Sequence, residues 1–342
     1  MKIEFGLGMG RNERIDEVAE LARVADECGF SHISYVDQQN ISRDVYSMMT
    51  IAALNTRRIK IAHGVTVPHT RHPSVTANAT ATIDELSGGR AILGIGSGGN
   101  ALRSMGMKEG HPLKRFRELI EFFRNYMSGG EAEFDGARMQ SEWVRRPVPI
   151  YMAAEGPKAL QLAGEIGDGV IILGGPPEWL KWKVELVYRG AENAGRDPTK
   201  LDIWVRCMVI VAASKEAAFR EATGVNHFRL KYLKMHDRYP VVEDMMKRME
   251  AEQPGLLAEM KQYEEAFDEN WFEHIDAPQA KATTQRMVDN FSLTGTPDDI
   301  CEGIESLREA GVTTISALFH TISDKKGMLK EISDKVMPEF RN

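Results

Sequence analysis

Residues 59–95 read IKIAHGVTVPHTRHPSVTANATATIDELSGGRAILGI, and this stretch decides the fold. It begins and ends with short apolar runs, Ile59–Val65 and Ala91–Ile95, which predict two buried strands. Between them, Pro73–Leu86 has helical spacing and a proline in its first turn. A helix between two strands that are apolar on both faces predicts a βαβ unit in a parallel sheet.

The same alternation continues in both directions along the chain of 342 residues. Further strands are predicted at Ile3–Leu7, Ile33–Val36, Pro149–Ala153, Gly169–Leu173, Trp204–Val211 and Thr313–Phe319. Helices are predicted at Ile15–Cys28, Val45–Asn55, Leu113–Met127, Pro157–Glu165, Glu178–Ala194 and Pro297–Ala310. An Asp-Gly turn at 135–136 adds a small hairpin. Eight strands with helices between them predict the α/β class and a (β/α)8 TIM barrel, which typically takes about 250 residues.

The surplus length lies between strands seven and eight, at residues 216–290, which have helical spacing and no good strand. We therefore predict one barrel domain over 1–342 with a helical insertion at 216–290. An insertion after a barrel strand leaves from the C-terminal face, so we expect it over the catalytic mouth. Its methionines and aromatic residues either roof a pocket or pack the insertion's own core; they are Met235, Met245, Met246, Met249, Met260, Tyr232, Tyr239, Tyr263, Phe267 and Trp271.

Composition excludes several classes of protein. The 43 Lys and Arg against 50 Asp and Glu give a formal net charge of −7, which argues against a nucleic-acid-binding protein. The three cysteines lie far apart and form no zinc motif, which is typical of a reducing compartment and predicts no metal site. We find no signal peptide and no apolar run of membrane-spanning length. We expect a cytoplasmic protein that acts on a small molecule.

Two strand ends carry candidate site residues. Asp37 and Gln38 follow strand two and offer one carboxylate and one amide toward the barrel axis, where TIM barrels bind ligands. Gly64 follows strand three and indicates an irregular backbone or the close approach of a flat ligand, although glycine at a strand end is often only a turn. His63, one residue earlier, is interpreted as a satisfied core or loop histidine rather than a base.

Glycine-rich loops follow three other strands. In Gly94–Asn100 the main-chain N–H groups, including that of Gly98, are available to an anion or a ring edge, but the spacing fits neither a Rossmann nor a Walker A motif. Ala153–Pro157 and Gly174–Pro176 follow strands five and six, and small residues before a helix let a phosphate reach its N-terminus. The alternative is two ordinary tight turns.

Several of these motifs together resemble the bacterial luciferase-like superfamily. They are IAHGVT at 61–66, ATIDELSGGRAILGIG at 81–96, GPKALQLA at 156–163 and GTPDD at 295–299. Within the superfamily, the likeness is greatest to methylenetetrahydromethanopterin reductases and related deazaflavin-dependent enzymes. It covers most of the chain except 216–290.

The resemblance implies a (β/α)8 barrel that binds coenzyme F420, or alternatively FMN, at the C-terminal mouth. It implies a non-prolyl cis peptide at Gly64–Val65 that supports the ring of the cofactor, and a place beside that ring for Asp37. On the phosphate side, the matching positions are Ala153, Ala154, Gly156, Gly174 and Gly175. It also implies a homodimer.

The chain departs from the pattern at three positions. Many relatives have a histidine where Gln38 stands, and Gly99 replaces an acid that follows the glycine loop. In strand one, Gly6 stands where the reductases have an acidic residue, although Glu4, two residues earlier, is expected to face the same way. Glutamine can donate and accept hydrogen bonds but cannot shuttle protons. The resemblance implies an oxidoreductase that transfers a hydride between F420 and a small organic substrate, and we expect Asp37 and Gln38 in the catalytic positions. The alternatives are an FMN-dependent monooxygenase that uses molecular oxygen, and a flavin-binding protein without turnover.

Overall fold

A computed structural model describes residues 2–11, 13–108, 112–222, 239–268, 276–319 and 322–341. Eight main strands alternate with helices along the chain, so the predicted (β/α)8 fold is confirmed. These strands are β1 (Glu4–Gly8), β2 (His32–Tyr35), β3 (Lys60–His63), β4 (Ala91–Ile95), β7 (Ile150–Ala153), β8 (Gly169–Leu173), β9 (Asp202–Val211) and β11 (Thr314–Leu318). The predicted hairpin is also present, as β5 (Ala132–Phe134) and β6 (Ala137–Met139).

The seven predicted helices are present in the predicted order, and the structure adds others, including α4 (Gly99–Ser104) and α14 (Lys325–Lys335), which the sequence did not predict. In chain order, the helices are α1 (Ile15–Glu27), α2 (Val45–Asn55), α3 (Pro73–Ser87), α4 (Gly99–Ser104), α5 (Leu113–Met127), α6 (Pro157–Ile166), α7 (Pro177–Asn193), α8 (Lys215–Ala222), α9 (Pro240–Glu252), α10 (Leu256–Ala266), α11 (Pro278–Ala282), α12 (Gln285–Phe291), α13 (Pro297–Glu309) and α14 (Lys325–Lys335). Among the described helices, none is long and apolar enough to cross a membrane.

The chain divides into two compact units. The first consists of Glu4–Ile172 and Glu185–Trp204. Within it, β1, β2, β3, β4, β7 and β8 pair in chain order, each parallel to the next. Parallel pairing in chain order places the carboxyl ends of these strands at one edge, where ligands bind in such folds. All the predicted site residues except Gly174 and Gly175 belong to this unit.

Helix α3 shows how the sequence sets an element's ends. Pro73 stands at its first turn, where a missing N–H costs nothing. Gly88 ends it in the left-handed conformation with φ of 71°, and its N–H donates to main-chain carbonyls of the last turn. The SGGR segment is therefore a turn between α3 and β4, at the edge opposite the carboxyl ends of the strands.

The second unit contains Leu173–Val184 and Val205–Asn342. In it, a short strand that the sequence did not predict, β10 (Leu293–Gly295), pairs in parallel with β9. The described part of 216–290 is helical, as expected, and its side chains Met245, Met246, Met249, Met260 and Tyr263 are buried. Burial favours the core interpretation over the pocket roof for these five. Tyr232, Met235 and Trp271 lie outside the described residues, and a position over the mouth stays a prediction.

Candidate active site

A cis peptide bond joins Gly64 to Val65 directly after β3, at the position that the resemblance implied. The Gly64 N–H donates to the main-chain oxygen of Tyr35 on β2 at 2.6 Å. On the other side, Thr66 forms a parallel bridge with Ile95 at the end of β4. The irregular segment is therefore held by main-chain hydrogen bonds to both neighbouring strands.

Glycines in and after β4 make room for this segment. A Cβ on Gly96 would lie 2.7 Å from Val65 Cγ2, and one on Gly98 would lie 2.0 Å from Val67 Cγ2. Gly98 also has φ of +60°, in the left-handed region that favours glycine. Packing against strand three thus accounts for both glycines. The prediction that Gly98 binds cofactor stays a prediction.

Val65 and Ala153 form a small apolar surface at the carboxyl ends of β3 and β7. Both are partly exposed and pack on a buried cluster that consists of Ala62, Ile92, Tyr151, Ile171 and Trp204. A Cβ on Gly96, between them, would lie 3.2 Å from the Ala153 Cβ. Because no side chain projects from Gly96, this surface suits a flat ring.

Asp37 lies two residues beyond the end of β2 and is 2% exposed. Its carboxylate accepts hydrogen bonds from Thr66 Oγ1 at 2.6 Å and from Gln39 Nε2 at 2.5 Å. Arg71 donates to both carboxylate oxygens, at 2.5 Å from Nη1 and 3.0 Å from Nη2. An ionised carboxylate has about four acceptor sites, so these four bonds engage all of them. That Asp37 contacts a ligand is still a prediction.

Two amide oxygens beside Asp37 are buried and have no hydrogen-bond partner among the described residues: Gln38 Oε1 and Gln39 Oε1. The orientation of the Gln39 amide is fixed, because an ionised carboxylate can only accept and must therefore face Nε2. Buried acceptors without donors are rare in native proteins. These two oxygens are therefore the atoms of the loop after β2 that would accept hydrogen bonds from a ligand.

The same loop is tied to α4, a helix that the sequence did not predict. Asn40, which has φ of 66°, donates from Nδ2 to the main-chain oxygen of Ser104 at 3.0 Å. Ser104 Oγ donates in return to the main-chain oxygen of Gln39 at 2.8 Å. These bonds fix the loop that carries Asp37 and Gln38 to the segment that follows the β4 glycines.

His63 is buried, as predicted for a core histidine. Its Nδ1 lies 3.4 Å from the main-chain oxygen of Ile92, and its Nε2 has no partner in the described part of the chain. Its ring meets that of Tyr46 edge-on at 5.4 Å. Burial lowers the pKa of His63 to about 4, because the charged form would lose its hydration. His63 is therefore neutral near pH 7.

The residues predicted on the phosphate side lie in two different units. In the first unit, Gly156 is the N-cap of α6 and provides no side-chain cap, so the first amides of that helix are available to an anion. Ala154 donates its N–H to Ile171 in β8 at 3.1 Å. In the second unit, the Gly174 N–H donates to the main-chain oxygen of Arg206 at 2.9 Å. That Ala153, Ala154, Gly156, Gly174 and Gly175 form one phosphate site stays a prediction.

Sequence reasoning missed Arg71, Thr66 and Ser104 as parts of the site. No spacing rule pairs Arg71 or Thr66 with Asp37, because they are 34 and 29 residues away along the chain. The β2–β3 register, in which Tyr35 lies beside His63, is the signal that would have brought them together.

Comparison with known proteins identifies the family to which this chain belongs. Residues 1–314 match the family model described as luciferase-like monooxygenase. A 5,10-methylenetetrahydromethanopterin reductase of Archaeoglobus fulgidus is 33% identical over 99% of this chain and 100% of its own length.

Two solved structures are similar to this one over nearly their whole length. The coenzyme F420-dependent tetrahydromethanopterin reductase of Methanopyrus kandleri has a TM-score of 0.81 and 26% identity, and the match covers 99% of this chain and 100% of that chain. The oxygenating constituent of 3,6-diketocamphane monooxygenase from Pseudomonas putida, in complex with FMN, has a TM-score of 0.70 at 20% identity, with 99% of each chain covered. At that identity the second likeness shows the fold alone.

Proposed function

We propose that this chain, which belongs to the family of luciferase-like monooxygenases, is an oxidoreductase. It transfers a hydride between coenzyme F420 and a small organic substrate. The observation that carries the proposal is the apolar surface of Val65 and Ala153, which has no side chain on Gly96 between the two residues. The two reductases described above support F420 over FMN, because their names specify F420 or a methanopterin substrate.

The described residues fit a flat, polar-edged cofactor in two respects. Val65 and Ala153 offer an apolar face with a glycine between them, and the Gln38 and Gln39 amide oxygens offer acceptors without donors. When bound, the deazaflavin supplies the hydride chemistry at its C5.

The chain's own residues then bind, orient and exclude water. We assign Val65 and Ala153 to supporting the ring, and Gln38 to hydrogen bonding with the ring or the substrate. The amide of Gln38 cannot take up a proton, so it orients its partner without titrating. Asp37 stands beside this position and holds the loop through its four hydrogen bonds.

We further propose that the cofactor's phosphate lies at the N-terminus of α6. Gly156 leaves the first amides of that helix without a side-chain cap, and an anion there gains from the helix dipole. Gly98, Gly174 and Gly175 complete the predicted set of cofactor positions.

Titration of the purified protein with F420 and, separately, with FMN tests the cofactor, with fluorescence as the readout. We expect F420 to bind at least tenfold more tightly than FMN. The variant Ala153→Phe is a blocked-site control, because a phenyl ring on the apolar surface should prevent binding of either cofactor. Tighter binding of FMN would overturn the assignment.

Turnover is tested without oxygen, with reduced F420 and a methylenetetrahydropterin as the first candidate substrate. We expect oxidation of F420 to depend on the substrate. A separate assay in air with reduced FMN tests the alternative. Because reduced FMN reacts with oxygen by itself, only an oxygenated product that depends on both the protein and the substrate would identify a monooxygenase. Binding of a cofactor without turnover of any substrate would identify a binding protein.

We also propose a cytoplasmic homodimer. All three cysteines lie among the described residues and none of them forms a disulfide, which suits a reducing compartment. Ile15, Leu54 and Val75, on three neighbouring helices, are 57%, 67% and 53% exposed, and such apolar surface commonly pairs with a second copy. Sedimentation should give twice 38.3 kDa, and Leu54→Glu should shift the protein toward the monomer. A wild-type monomer at micromolar concentration would exclude the dimer.

A further inference from the structure

Two residues of the loop after β3, Thr66 and Arg71, donate hydrogen bonds to Asp37. Thr66 donates to one carboxylate oxygen, and five residues later Arg71 donates to both. Thr66 directly follows the cis Gly64–Val65 bond, and its own N–H donates to the main-chain oxygen of Gly94 at 2.9 Å. One carboxylate therefore anchors both ends of the loop that begins at the apolar surface.

Arg71 is itself held in place from several sides. It is 19% exposed, its guanidinium carbon lies 5.0 Å from the centre of the Tyr46 ring, and Nη2 lies 3.9 Å from Asp44 Oδ2. A guanidinium over an aromatic ring gains a cation–π interaction, and its planar fork matches both oxygens of a carboxylate. Lysine has one point charge and cannot reproduce this geometry.

The carboxylate depends on Arg71 for its charge balance. A buried ion whose partner is removed is strongly disfavoured, and turning toward water restores its hydration. That movement would break the bonds that Asp37 accepts from Thr66 and Gln39. The loss of Arg71 would thus loosen Val65 through Thr66 and release the Gln39 amide.

We propose that Arg71 is a positioning residue for the cofactor site, which acts through Asp37 to hold Thr66 and Gln39, and through them Val65 and the Gln39 amide oxygen. It acts without contact with the reacting atoms. This inference rests on the proposed function for its effect on cofactor binding, but its effect on the loop does not require any cofactor.

The first test needs no ligand. Hydrogen exchange of peptides that cover residues 64–67 is compared among the wild type, Arg71→Met and the control Arg138→Met, an exposed arginine of the hairpin. We expect at least tenfold faster exchange at Thr66 in Arg71→Met and no change in the control. Wild-type exchange at Thr66 in Arg71→Met would overturn the proposal, whatever the cofactor.

The second test separates positioning from mere stability. We expect Arg71→Met to raise the dissociation constant of the cofactor at least tenfold and Arg71→Lys to raise it less. The double variant Arg71→Met/Asp37→Leu removes both charges, so it should regain thermal stability while cofactor binding stays weak. If the double variant binds as tightly as the wild type, or if Arg71→Met loosens the loop without weakening binding, Arg71 is only structural.

The two failures can be told apart. If the wild type binds neither F420 nor FMN, the proposed function fails, while the exchange experiment still decides whether Arg71 holds the loop. If the wild type binds and Arg71→Met binds equally well, the cofactor site stands and the positioning role fails.

Discussion

Acid should destabilise this protein partly through His63, and the variant His63→Gln isolates that contribution. His63 is fully buried and lies one residue before the cis Gly64–Val65 bond. Its Nε2 has no partner among the described residues, and burial lowers its pKa to about 4. A proton on this ring in the folded state would be an uncompensated buried charge.

The direction of the pH dependence follows from whether the folded or the unfolded state binds the proton. Above pH 6.5 the imidazole is neutral in both states, so the folded protein loses nothing. Between pH 6.5 and 4 the unfolded chain takes up a proton that the folded protein does not, so the free energy of unfolding falls as the pH falls. With a folded pKa of about 4, the loss between pH 7.5 and pH 5 is about 2 kcal/mol.

Urea unfolding at pH 7.5, 6.5, 5.5 and 5.0 measures this loss. We expect the wild type to lose about 2 kcal/mol more than His63→Gln between the two ends of the series. His72→Gln is the matched control, because His72 is exposed and glutamine can still accept the Ser74 N–H that His72 accepts at the N-terminus of α3. Equal pH dependence of the wild type and His63→Gln would refute the reasoning.

Three further predictions concern the site and the insertion. Gly156 has φ of −84° and ψ of 151°, which any residue can adopt, so Gly156→Asp and Gly156→Asn should both fold. Only the negative charge of Asp should weaken cofactor binding, by at least tenfold, and titration with the cofactor measures this. Gly96→Ala should displace Val65 and weaken binding with modest loss of stability, whereas Gly94→Ala, with its Cβ 1.9 Å from the main-chain oxygen of His63, should unfold at far lower temperature. Tyr263→Ala should lower the free energy of unfolding, measured in urea, by about 3–5 kcal/mol and leave the Michaelis constant of the folded fraction unchanged. A raised Michaelis constant would instead support the interpretation that Tyr263 roofs a pocket.

The fold was predictable because its signals are local. The bounds of α2, α5, β4 and β8 agree with the sequence prediction to the residue, since apolar runs and helical spacing are each set within about 15 residues. Helix α4 was missed because it begins with Gly99 and has six residues, so propensity argued against it. What stabilises it is the burial of Ala101 and Leu102 against Val67, which no local pattern contains.

The site was predictable only in part, for the same reason. Strand ends pointed to Asp37 and Gln38, because the topology of a parallel sheet places such residues at one edge. The partners of Asp37 come from another strand's loop, and only the three-dimensional pairing of β2 with β3 brings them together. At Gly96 the structure adds a packing role: the sequence analysis considered only the main-chain amides of this loop, whereas the missing side chain of Gly96 makes room for Val65.

The missing histidine does not weaken the case for an enzyme. Hydride transfer requires that donor and acceptor carbons be held close and that water be excluded, and the cofactor supplies the reactivity. Gln38 can orient a partner, and Asp37 is engaged by four hydrogen bonds that fix the loop around it. In the proposed site these two residues would serve orientation, which does not need a side chain that shuttles protons. A histidine at position 38 would add a proton donor or acceptor, so on this proposal Gln38 favours substrates that need no proton transfer at that position.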